Sequence, residues 1–251
     1  MLAASRRTLL LDRLRADGRL VAKDLAVELG LSEDSIRRDL RDLAAEGLLT
    51  RVYGGALPAS PAVADYAARG DIATDSKARV AARAAALIEP GSTVILDGGT
   101  TTLAVVRSLP RDLACTIVTH SPTIAAALLD HAAEVLVLGG RLFKHSAVTS
   151  GAAAAEAAAR VQADLFLLGV TGVHPRTGLT TGDPDEAAMK RTLASRAAET
   201  WALASAEKIG AASPFQVLAL DEVAGVVIDP AADQQALEQL RETGTALIEA
   251  R

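Results

Sequence analysis

The stretch Thr93-Val94-Ile95-Leu96-Asp97-Gly98-Gly99-Thr100-Thr101-Thr102 joins a strand, a glycine turn and the start of a helix. Of its first four residues, three are apolar and three are β-branched, which predicts a buried strand. The two glycines allow backbone amides to turn outward, and the three threonines supply hydroxyls at the helix N-terminus, where anions bind. The stretch therefore predicts an anion site, although a glycine turn with a threonine N-cap and no ligand is the alternative interpretation.

Strands and helices alternate on both sides of this stretch. The predicted strands are Thr93–Leu96, Thr116–Thr119, Val135–Leu138, Leu165–Gly169, Trp201–Ala204, Val217–Leu220, Val226–Ile228 and Ala246–Ile248. The predicted helices are Thr74–Ile88, Thr101–Ser108, Pro122–Asp130, Ala152–Val161 and Asp185–Ala198. Short apolar strands separated by helices imply a parallel sheet that is covered on both faces. The predicted fold class is α/β, with a largely parallel sheet in the larger, C-terminal domain.

The loops that follow parallel strands meet at one edge of the sheet, where open α/β sheets bind ligands. The polar residues predicted at this edge are Asp97, Ser121, Arg141, Thr171, Asp183 and Lys208. The sequence has neither G-x-G-x-x-G nor G-x-x-x-x-G-K, so nothing supports a dinucleotide or a nucleoside triphosphate, and no cofactor is predicted. The four histidines lack paired spacing and Cys115 is the single cysteine, so no metal site is predicted.

Residues 1–57 predict three helices followed by a short hairpin. Ala26, Gly30 and Ile36 have the spacing of a helix-turn-helix, with a small residue at the helix contact, a glycine in the turn and an apolar anchor. Ser32 is a favourable N-cap for the third helix. The hairpin runs into Gly54-Gly55, so the segment predicts a winged helix-turn-helix domain.

The third helix turns basic residues away from its core, because Ile36 and Leu40 face inward. A helix of this length fits the major groove of duplex DNA, where arginine binds guanine edges or phosphates. The residues predicted to contact DNA are Ser35, Arg37, Arg38, Arg41 and, in the hairpin, Arg51. The alternative interpretation is a solvated face on which Arg38 pairs with Asp34 and Asp42.

Charge divides the chain unevenly. The net charge is −5, but residues 1–57 hold ten Lys or Arg and nine Asp or Glu, so residues 58–251 carry −6. Only the first segment can approach phosphate without long-range repulsion. Residues 58–73 contain Pro58 and Pro61 and lack an apolar period, which predicts a linker to a second domain over residues 74–251.

The composition also bears on location. Apolar stretches fall far short of the roughly 20 residues that span a bilayer, so no membrane partner is predicted. Arg6-Arg7 mimics the start of an export signal, but Asp12 and Arg13 interrupt the apolar region that should follow. One cysteine fits a reducing compartment. We expect a cytoplasmic protein.

Two groups of motifs together resemble one known family. The N-terminal group is Leu25-Ala26, Leu29-Gly30-Leu31-Ser32, Ser35-Ile36-Arg37-Arg38-Asp39-Leu40 and Arg51-Val52-Tyr53-Gly54-Gly55-Ala56. The C-terminal group is Lys77, Ile88-Glu89-Pro90-Gly91, Asp97-Gly98-Gly99-Thr100-Thr101-Thr102, Val118-Thr119-His120-Ser121, Leu138-Gly139-Gly140-Arg141-Leu142, Gly178-Leu179-Thr180-Thr181 and Glu186-Ala187-Ala188-Met189-Lys190-Arg191. Together they resemble the DeoR family of bacterial transcription regulators over nearly the whole chain.

This resemblance implies a sensor domain with a fold similar to ribose-5-phosphate isomerase and coenzyme A transferases. Family members usually repress carbohydrate operons and release DNA when a phosphorylated sugar binds. The residues predicted to bind such an effector are Asp97, Gly98, Gly99, Thr100, Thr101, Thr102, Ser121, Arg141 and Lys208. Two departures affect ligand preference: His120 replaces the usual asparagine, and Ser205-Ala206-Glu207-Lys208 replaces the usual Asp-Ser-Ser-Lys.

The leading hypothesis is a repressor that binds double-stranded operator DNA and has no catalytic residues. One winged domain with a charge of +1 binds weakly, so we expect a homodimer or homotetramer built on the C-terminal domain. One alternative is a sugar-phosphate isomerase with an appended DNA-binding domain, which needs a carboxylate base such as Asp97, Asp183 or Glu186. A plainer alternative is a dimerising domain without a ligand.

Overall fold

The computed structural model describes residues 3–59 and 64–250. The N-terminal domain consists of α1 (Ala3–Asp17), β1 (Leu20–Val21), α2 (Ala22–Leu29), α3 (Glu33–Ala45), β2 (Leu49–Val52) and β3 (Gly55–Pro58). The three strands form an antiparallel sheet in the order β1-β3-β2. This domain is the predicted winged helix-turn-helix, with β1 as an addition that the helical spacing of Val21 and Leu25 did not indicate.

Helix α3 starts where the sequence predicts. The hydroxyl of Ser32 accepts a hydrogen bond from the backbone amide of Ser35 at 3.2 Å, which satisfies one of the free amides of the first turn. Ile36, Leu40 and Leu43 lie on the opposite side of the helix and are fully buried against α1 and α2. The polar face of α3 is therefore left to solvent.

The C-terminal domain alternates helices and strands. Its helices are α4 (Tyr66–Gly70), α5 (Thr74–Ala85), α6 (Thr100–Ser108), α7 (Pro122–Ala127), α8 (Ala152–Ala158), α9 (Pro184–Ala194) and α10 (Gln234–Glu242). Its strands are β4 (Thr93–Leu96), β5 (Thr116–Thr119), β6 (Glu134–Val137), β7 (Arg141–Phe143), β8 (Val148–Ser150), β9 (Ala163–Gly169), β10 (Gly172–His174), β11 (Gly178–Thr181), β12 (Ala197–Ala204), β13 (Phe215–Leu218), β14 (Gly225–Ile228) and β15 (Leu247–Glu249).

Seven of these strands form one sheet in the order β15-β14-β12-β9-β4-β5-β6, and every neighbouring pair is parallel. The α/β prediction with a largely parallel sheet is confirmed. The chain runs from β4 outward through β5 and β6, then returns to β9 on the other side of β4. The strand order reverses between β4 and β9, and such a switch point leaves a crevice at the carboxyl ends of the strands.

The central strands of the sheet are buried on both faces, whereas the edge strand β6 is largely exposed. Along β9, Phe166 and Leu168 point into one apolar cluster, whereas Leu165 and Leu167 point into the other. Alternate residues of a strand face opposite sides, so continuous apolar strands need helices on both sides. This arrangement holds the strand ends, and the loops after them, in fixed positions.

Several local predictions need correction. The strand predicted at residues 217–220 is β13, which pairs antiparallel with β11 in a separate sheet with β10. Helix α9 ends at Ala194 rather than Ala198, because residues from Ala197 onward pair with β9. The predicted linker, residues 58–73, contains the short helix α4, and residues 60–63 lie outside the described residues.

No helix within residues 3–59 and 64–250 is long and apolar enough to cross a membrane.

The two domains touch through the loop that joins β10 to β11. The buried His174 ring lies against the end of α1, where its Nε2 donates to the carbonyl oxygen of Arg15 at 3.2 Å. Its Nδ1 accepts a hydrogen bond from the amide of Arg176 at 3.1 Å, and the Arg176 guanidinium pairs with Asp17 at 2.6 Å. Burial lowers the pKa of His174, so the neutral ring donates through one nitrogen and accepts through the other.

Candidate functional site

The exposed face of α3 carries the predicted DNA-contacting arginines. Arg37, Arg38 and Arg41 are exposed, and Ser35 is partly buried. An ion pair on this face joins Arg37 to Glu33 at 2.7 Å, with both side chains exposed, instead of joining Arg38 to Asp34 or Asp42. An exposed pair of this kind contributes little stability and exchanges readily for a phosphate. The arginines are therefore accessible to a duplex.

The hairpin after α3 extends this surface. Arg37 of α3 and Arg51 of β2 line one groove between the helix and the hairpin. Tyr53, at the tip of the hairpin, is fully exposed and lines the same groove. Its exposure does not follow from the sequence, because an aromatic residue in an isolated β-turn lies in no periodic pattern. Helix and hairpin therefore contribute to one surface, which carries Arg37, Arg51 and Tyr53.

A cavity lies in the C-terminal domain at the switch point between β4 and β9. Its volume is about 40 Å³, which is room for roughly three water molecules. Residues from the loops after β4, β9 and β12 form its wall, together with side chains from α4, α5 and α9. The polar wall residues and glycines include Arg69, Lys77, Gly98, Gly99, Thr100, Thr101, Thr102, Thr171, Glu186, Lys190, Glu207 and Lys208.

The N-terminus of α6 forms the floor of this cavity. Gly99 precedes the helix with φ of 129°, a conformation that favours glycine, and the free amides of the first turn follow it. A side chain at Gly98 would collide with Val148 at 2.1 Å, so the turn lies close against β8. The Oγ1 of Thr102 is buried and has no hydrogen-bond partner among the described residues. These groups suit an anionic ligand that accepts hydrogen bonds.

Besides Lys190, which pairs with Asp97, three cationic side chains line the cavity around this helix end. Lys208 donates to Thr101 Oγ1 at 3.0 Å, and burial lowers the pKa of Lys208 to about 8. Burial also lowers the pKa of Lys77 and of Arg69. The cost of burying an ammonium or guanidinium group falls when an anion binds beside it. The cluster therefore favours a phosphate-sized dianion.

Asp97 lies just behind the cavity wall. Its carboxylate pairs with the buried ammonium of Lys190 and accepts the backbone amides of Gly98 and Gly169, each at 2.8 Å. It therefore links the loops after β4 and β9 and holds the glycine turn. This corrects the expectation that Asp97 faces the ligand, since its oxygens are already occupied by partners in the protein.

Two other predicted effector residues also lie outside the cavity wall. Ser121 is buried at the start of α7, where its hydroxyl donates to the carbonyl of Ala147 at 3.0 Å. Arg141 is exposed on β7, in the β7–β8 hairpin. The carboxyl ends of the parallel strands lie at one edge of the sheet, but the conformation of each loop decides where its side chains point. Ser121 and Arg141 therefore follow strands at this edge without lining the cavity. Asp183 likewise caps α9, accepting the amides of Asp185 and Glu186.

Some cavity residues were missed or misread in the sequence. Arg69 lies in the predicted linker, and its side chain donates to the carbonyl of His145 at 3.2 Å. Glu186 and Lys190, four residues apart on α9, are both buried, and each has a partner other than the other. Ser146 donates to Glu186 at 3.0 Å. Their apolar neighbours Ala187 and Met189 were the signal that this helix is buried on that side.

Of the two departures from the family pattern, His120 lies outside the cavity wall, whereas Glu207 is part of it. His120 is completely buried beside Asp97, at 3.6 Å, and burial lowers the pKa of His120 to about 4. It does not line the cavity, so a direct effect on the ligand finds no support in the geometry. Glu207 does line the cavity, and its Oε1 accepts a hydrogen bond from Ser205 at 2.7 Å.

A helix-turn-helix with exposed arginines on its third helix, joined to an α/β domain with a cavity lined by cations and a helix N-terminus, is typical of a DNA-binding regulator with a sensor domain. Residues 72–230 match the family model of the DeoR C terminal sensor domain, and residues 6–61 match the DeoR-like helix-turn-helix domain. The chain belongs to the DeoR family of transcription regulators.

Curated relatives share this organisation over nearly the whole chain. The HTH-type transcriptional regulator GlpR of Haloferax volcanii is 32% identical over 99% of this chain and 98% of its own length. A putative aga operon transcriptional repressor of Escherichia coli O157:H7 is 30% identical, covering 98% of this chain and 93% of its own. Among solved structures, ribose 5-phosphate isomerase A of Methanocaldococcus jannaschii aligns with 52% of each chain, at a TM-score of 0.39 and 18% identity.

Proposed function

We propose that this protein represses a carbohydrate-metabolism operon and that a phosphorylated sugar relieves the repression. The observation that carries the proposal is the cavity at the switch point, where the N-terminus of α6 meets Lys77, Lys208 and Arg69. A helix N-terminus with clustered cations binds phosphate. The sugar of such a ligand would extend from there toward the polar wall formed by α9 and the loop after β12.

In this proposal the exposed face of α3 enters the major groove. The contacting residues are Ser35, Arg37, Arg38 and Arg41, with Arg51 on the flanking backbone. With a local charge of +1, one domain binds with a dissociation constant of roughly 10⁻⁴ to 10⁻⁶ M. A homodimer or homotetramer places two such domains on one operator and raises the affinity through effective concentration. Sedimentation of a monomer that still binds its operator tightly would contradict this assembly.

The effector contacts follow from the cavity wall. Gly98, Gly99 and the three threonines of α6 present amides and hydroxyls to the phosphate, and Lys208 neutralises its charge. Asp97 acts as a positioning residue, because it holds the glycine turn against the loop after β9.

Helix α4 provides a route from the cavity to the DNA-binding domain. The carbonyl oxygen of Arg69 accepts hydrogen bonds from the ammonium of Lys77 and, at 3.4 Å, from the hydroxyl of Thr100. A bound phosphate would compete with this carbonyl for the same donors. Because none of the residues of α4 is fully buried, and the cavity is narrower than a sugar phosphate, we propose that the ligand displaces α4. That shift moves the segment leading to the winged domains and favours an arrangement with lower DNA affinity.

Fluorescence anisotropy with the operator DNA tests the proposal. A panel of sugar phosphates is titrated into the complex of the full chain with DNA, and at least one member should release the DNA. The Lys208→Met variant should bind the operator with unchanged affinity but need a higher effector concentration for release. An unaltered complex across the whole panel would refute the effector claim, whereas loss of DNA binding in the variant would refute the separation of the two sites.

We propose that the chain does not catalyse isomerisation. Of the three candidate bases, Asp97 is paired with Lys190 and Asp183 caps α9. Glu186 lines the cavity but accepts a hydrogen bond from Ser146. A coupled assay with pentose and hexose phosphates decides the point, since turnover that disappears in Glu186→Gln would establish the enzymatic alternative.

A further inference from the structure

Glu207 brings a negative charge into a cavity that otherwise attracts anions. It sits in the turn after β12, directly before Lys208, and lines the same cavity as Lys77. Its Oε1 accepts the Ser205 hydroxyl at 2.7 Å. Its Oε2 is buried and has no hydrogen-bond partner among residues 3–59 and 64–250. One acceptor atom at the cavity wall is therefore unsatisfied.

An unsatisfied buried carboxylate oxygen is costly, because it has lost its water without gaining a donor. A ligand hydroxyl placed against it would recover that cost. A ligand carboxylate or phosphate at the same place would instead put two anions in contact in a poorly hydrated site, which raises the free energy. Oε2 of Glu207 therefore favours binding of a neutral hydrogen-bond donor over binding of a second anionic group.

The charges of the cavity point the same way. Four cationic side chains line the cavity, and one of them, Lys190, is neutralised by its ion pair with Asp97 behind the wall. The other three, Arg69, Lys77 and Lys208, face the carboxylates of Glu186 and Glu207, which leaves a formal excess of one positive charge. A single phosphate carries about −1.5 to −2 at neutral pH. One phosphate therefore exhausts the positive charge of the cavity, and a second would be uncompensated.

We propose that Glu207 is a specificity residue that restricts the effector to sugar monophosphates. Its Oε2 accepts a hydrogen bond from a neutral hydroxyl, and its charge excludes sugar bisphosphates and phosphorylated sugar acids. The inference rests on the proposed function, since it assigns the ligand class of the same cavity.

Matched ligand pairs test this inference by isothermal titration calorimetry on the full chain. The pairs are fructose 6-phosphate with fructose 1,6-bisphosphate, glucose 6-phosphate with 6-phosphogluconate, and ribose 5-phosphate with ribulose 1,5-bisphosphate. In the wild type, the monophosphate of the responsive pair should bind at least about tenfold tighter than its more anionic partner. Glu207→Gln keeps the size and an acceptor but removes the charge, so it should bring that ratio close to one.

The controls separate this inference from the proposed function. Urea denaturation should show similar stability for the wild type and Glu207→Gln, and Glu207→Ser supplies a second variant that removes the carboxylate altogether. A wild type that binds the bisphosphate or the sugar acid as tightly as the monophosphate refutes the inference alone, as does an unchanged ratio in both variants. A wild type that binds no member of any pair refutes the proposed function and the inference with it.

Discussion

Replacement of Lys190 by methionine tests the role of the buried ion pair behind the cavity. Asp97 is completely buried and Lys190 is 4% exposed, so the substitution leaves a carboxylate in the core with the two backbone amides as its main remaining partners. Breaking a buried pair in this way costs about 3–5 kcal/mol. With a urea dependence of about 3 kcal/mol per molar, the midpoint falls by about 1 to 1.7 M. Trp201, the single tryptophan, lies in β12 and reports unfolding of this domain by fluorescence.

The pH dependence of the stability lost in Lys190→Met gives a second readout. In the wild type His120 has a pKa of about 4, lowered by burial and by Lys190 and raised by Asp97. The unfolded imidazole takes up a proton near its ordinary pKa of 6.5, so His120 makes the wild type less stable as pH falls from 6.5 to 4. Without Lys190 the pKa of His120 rises, and protonated His120 compensates Asp97. We therefore expect a smaller loss at pH 5 than at pH 8.

A double variant provides the control for this prediction. In Lys190→Met combined with Asp97→Asn, no unpaired charge remains, and the double variant should be more stable than Lys190→Met alone. A loss below about 1 kcal/mol in the single variant, or a double variant no more stable than the single, would refute the assignment of this pair as the support of the glycine turn.

Three further predictions concern the DNA surface, the domain contact and the effector cavity. Arg38→Ala should weaken operator binding by about 1–3 kcal/mol, or about 5- to 150-fold; an unchanged affinity by anisotropy would remove Arg38 from the interface. Gly18 has a φ of 68°, and in Gly18→Ala the new methyl group lies 2.6 Å from the ring of His174. Hydrogen exchange of the backbone amides near His174 should therefore accelerate. Unchanged protection of these amides would show that the clash is relieved elsewhere. Since Lys208 has a pKa of about 8, its ammonium loses its proton above that pH. The affinity for a sugar phosphate, measured by calorimetry, should then fall by up to about tenfold per pH unit in the wild type. The affinity of Lys208→Met should not show this fall. A wild-type affinity that is independent of pH would exclude Lys208 as the phosphate partner.

Local patterns predicted much of this fold. Strand β4 and helix α6 lie within one residue of their predicted bounds, because an apolar β-branched run and a glycine pair act over neighbouring residues. Residues 172–181 were not predicted as strands. Their β10–β11 hairpin is stabilised by pairing with β13, more than thirty residues further along the chain. The same dependence on distant partners explains why α9 ends four residues early.

The cavity likewise combines residues that local patterns predicted with residues whose role depends on distant partners. Thr101 and Lys208, which were predicted as ligands, meet at 3.0 Å although they are 107 residues apart. Arg69 was missed because a short helix in a proline- and alanine-rich segment has no periodic signal. Asp97 was predicted at the right loop but with the wrong role. Whether a polar side chain faces a ligand or a buried partner depends on which atoms lie opposite it, and those come from remote segments.

The amino-acid sequence alone determined the order of the elements, the arginine-bearing face of α3 and the amide-rich end of α6. These features depend on residues within one or two helical turns, where propensity, capping and apolar spacing act directly. Only the tertiary structure decided that Lys190 neutralises Asp97, that α4 brings Arg69 to the cavity and that Glu207 retains an unsatisfied oxygen. Burial and charge compensation are properties of the assembled core, so no local stretch of the chain encodes them by itself.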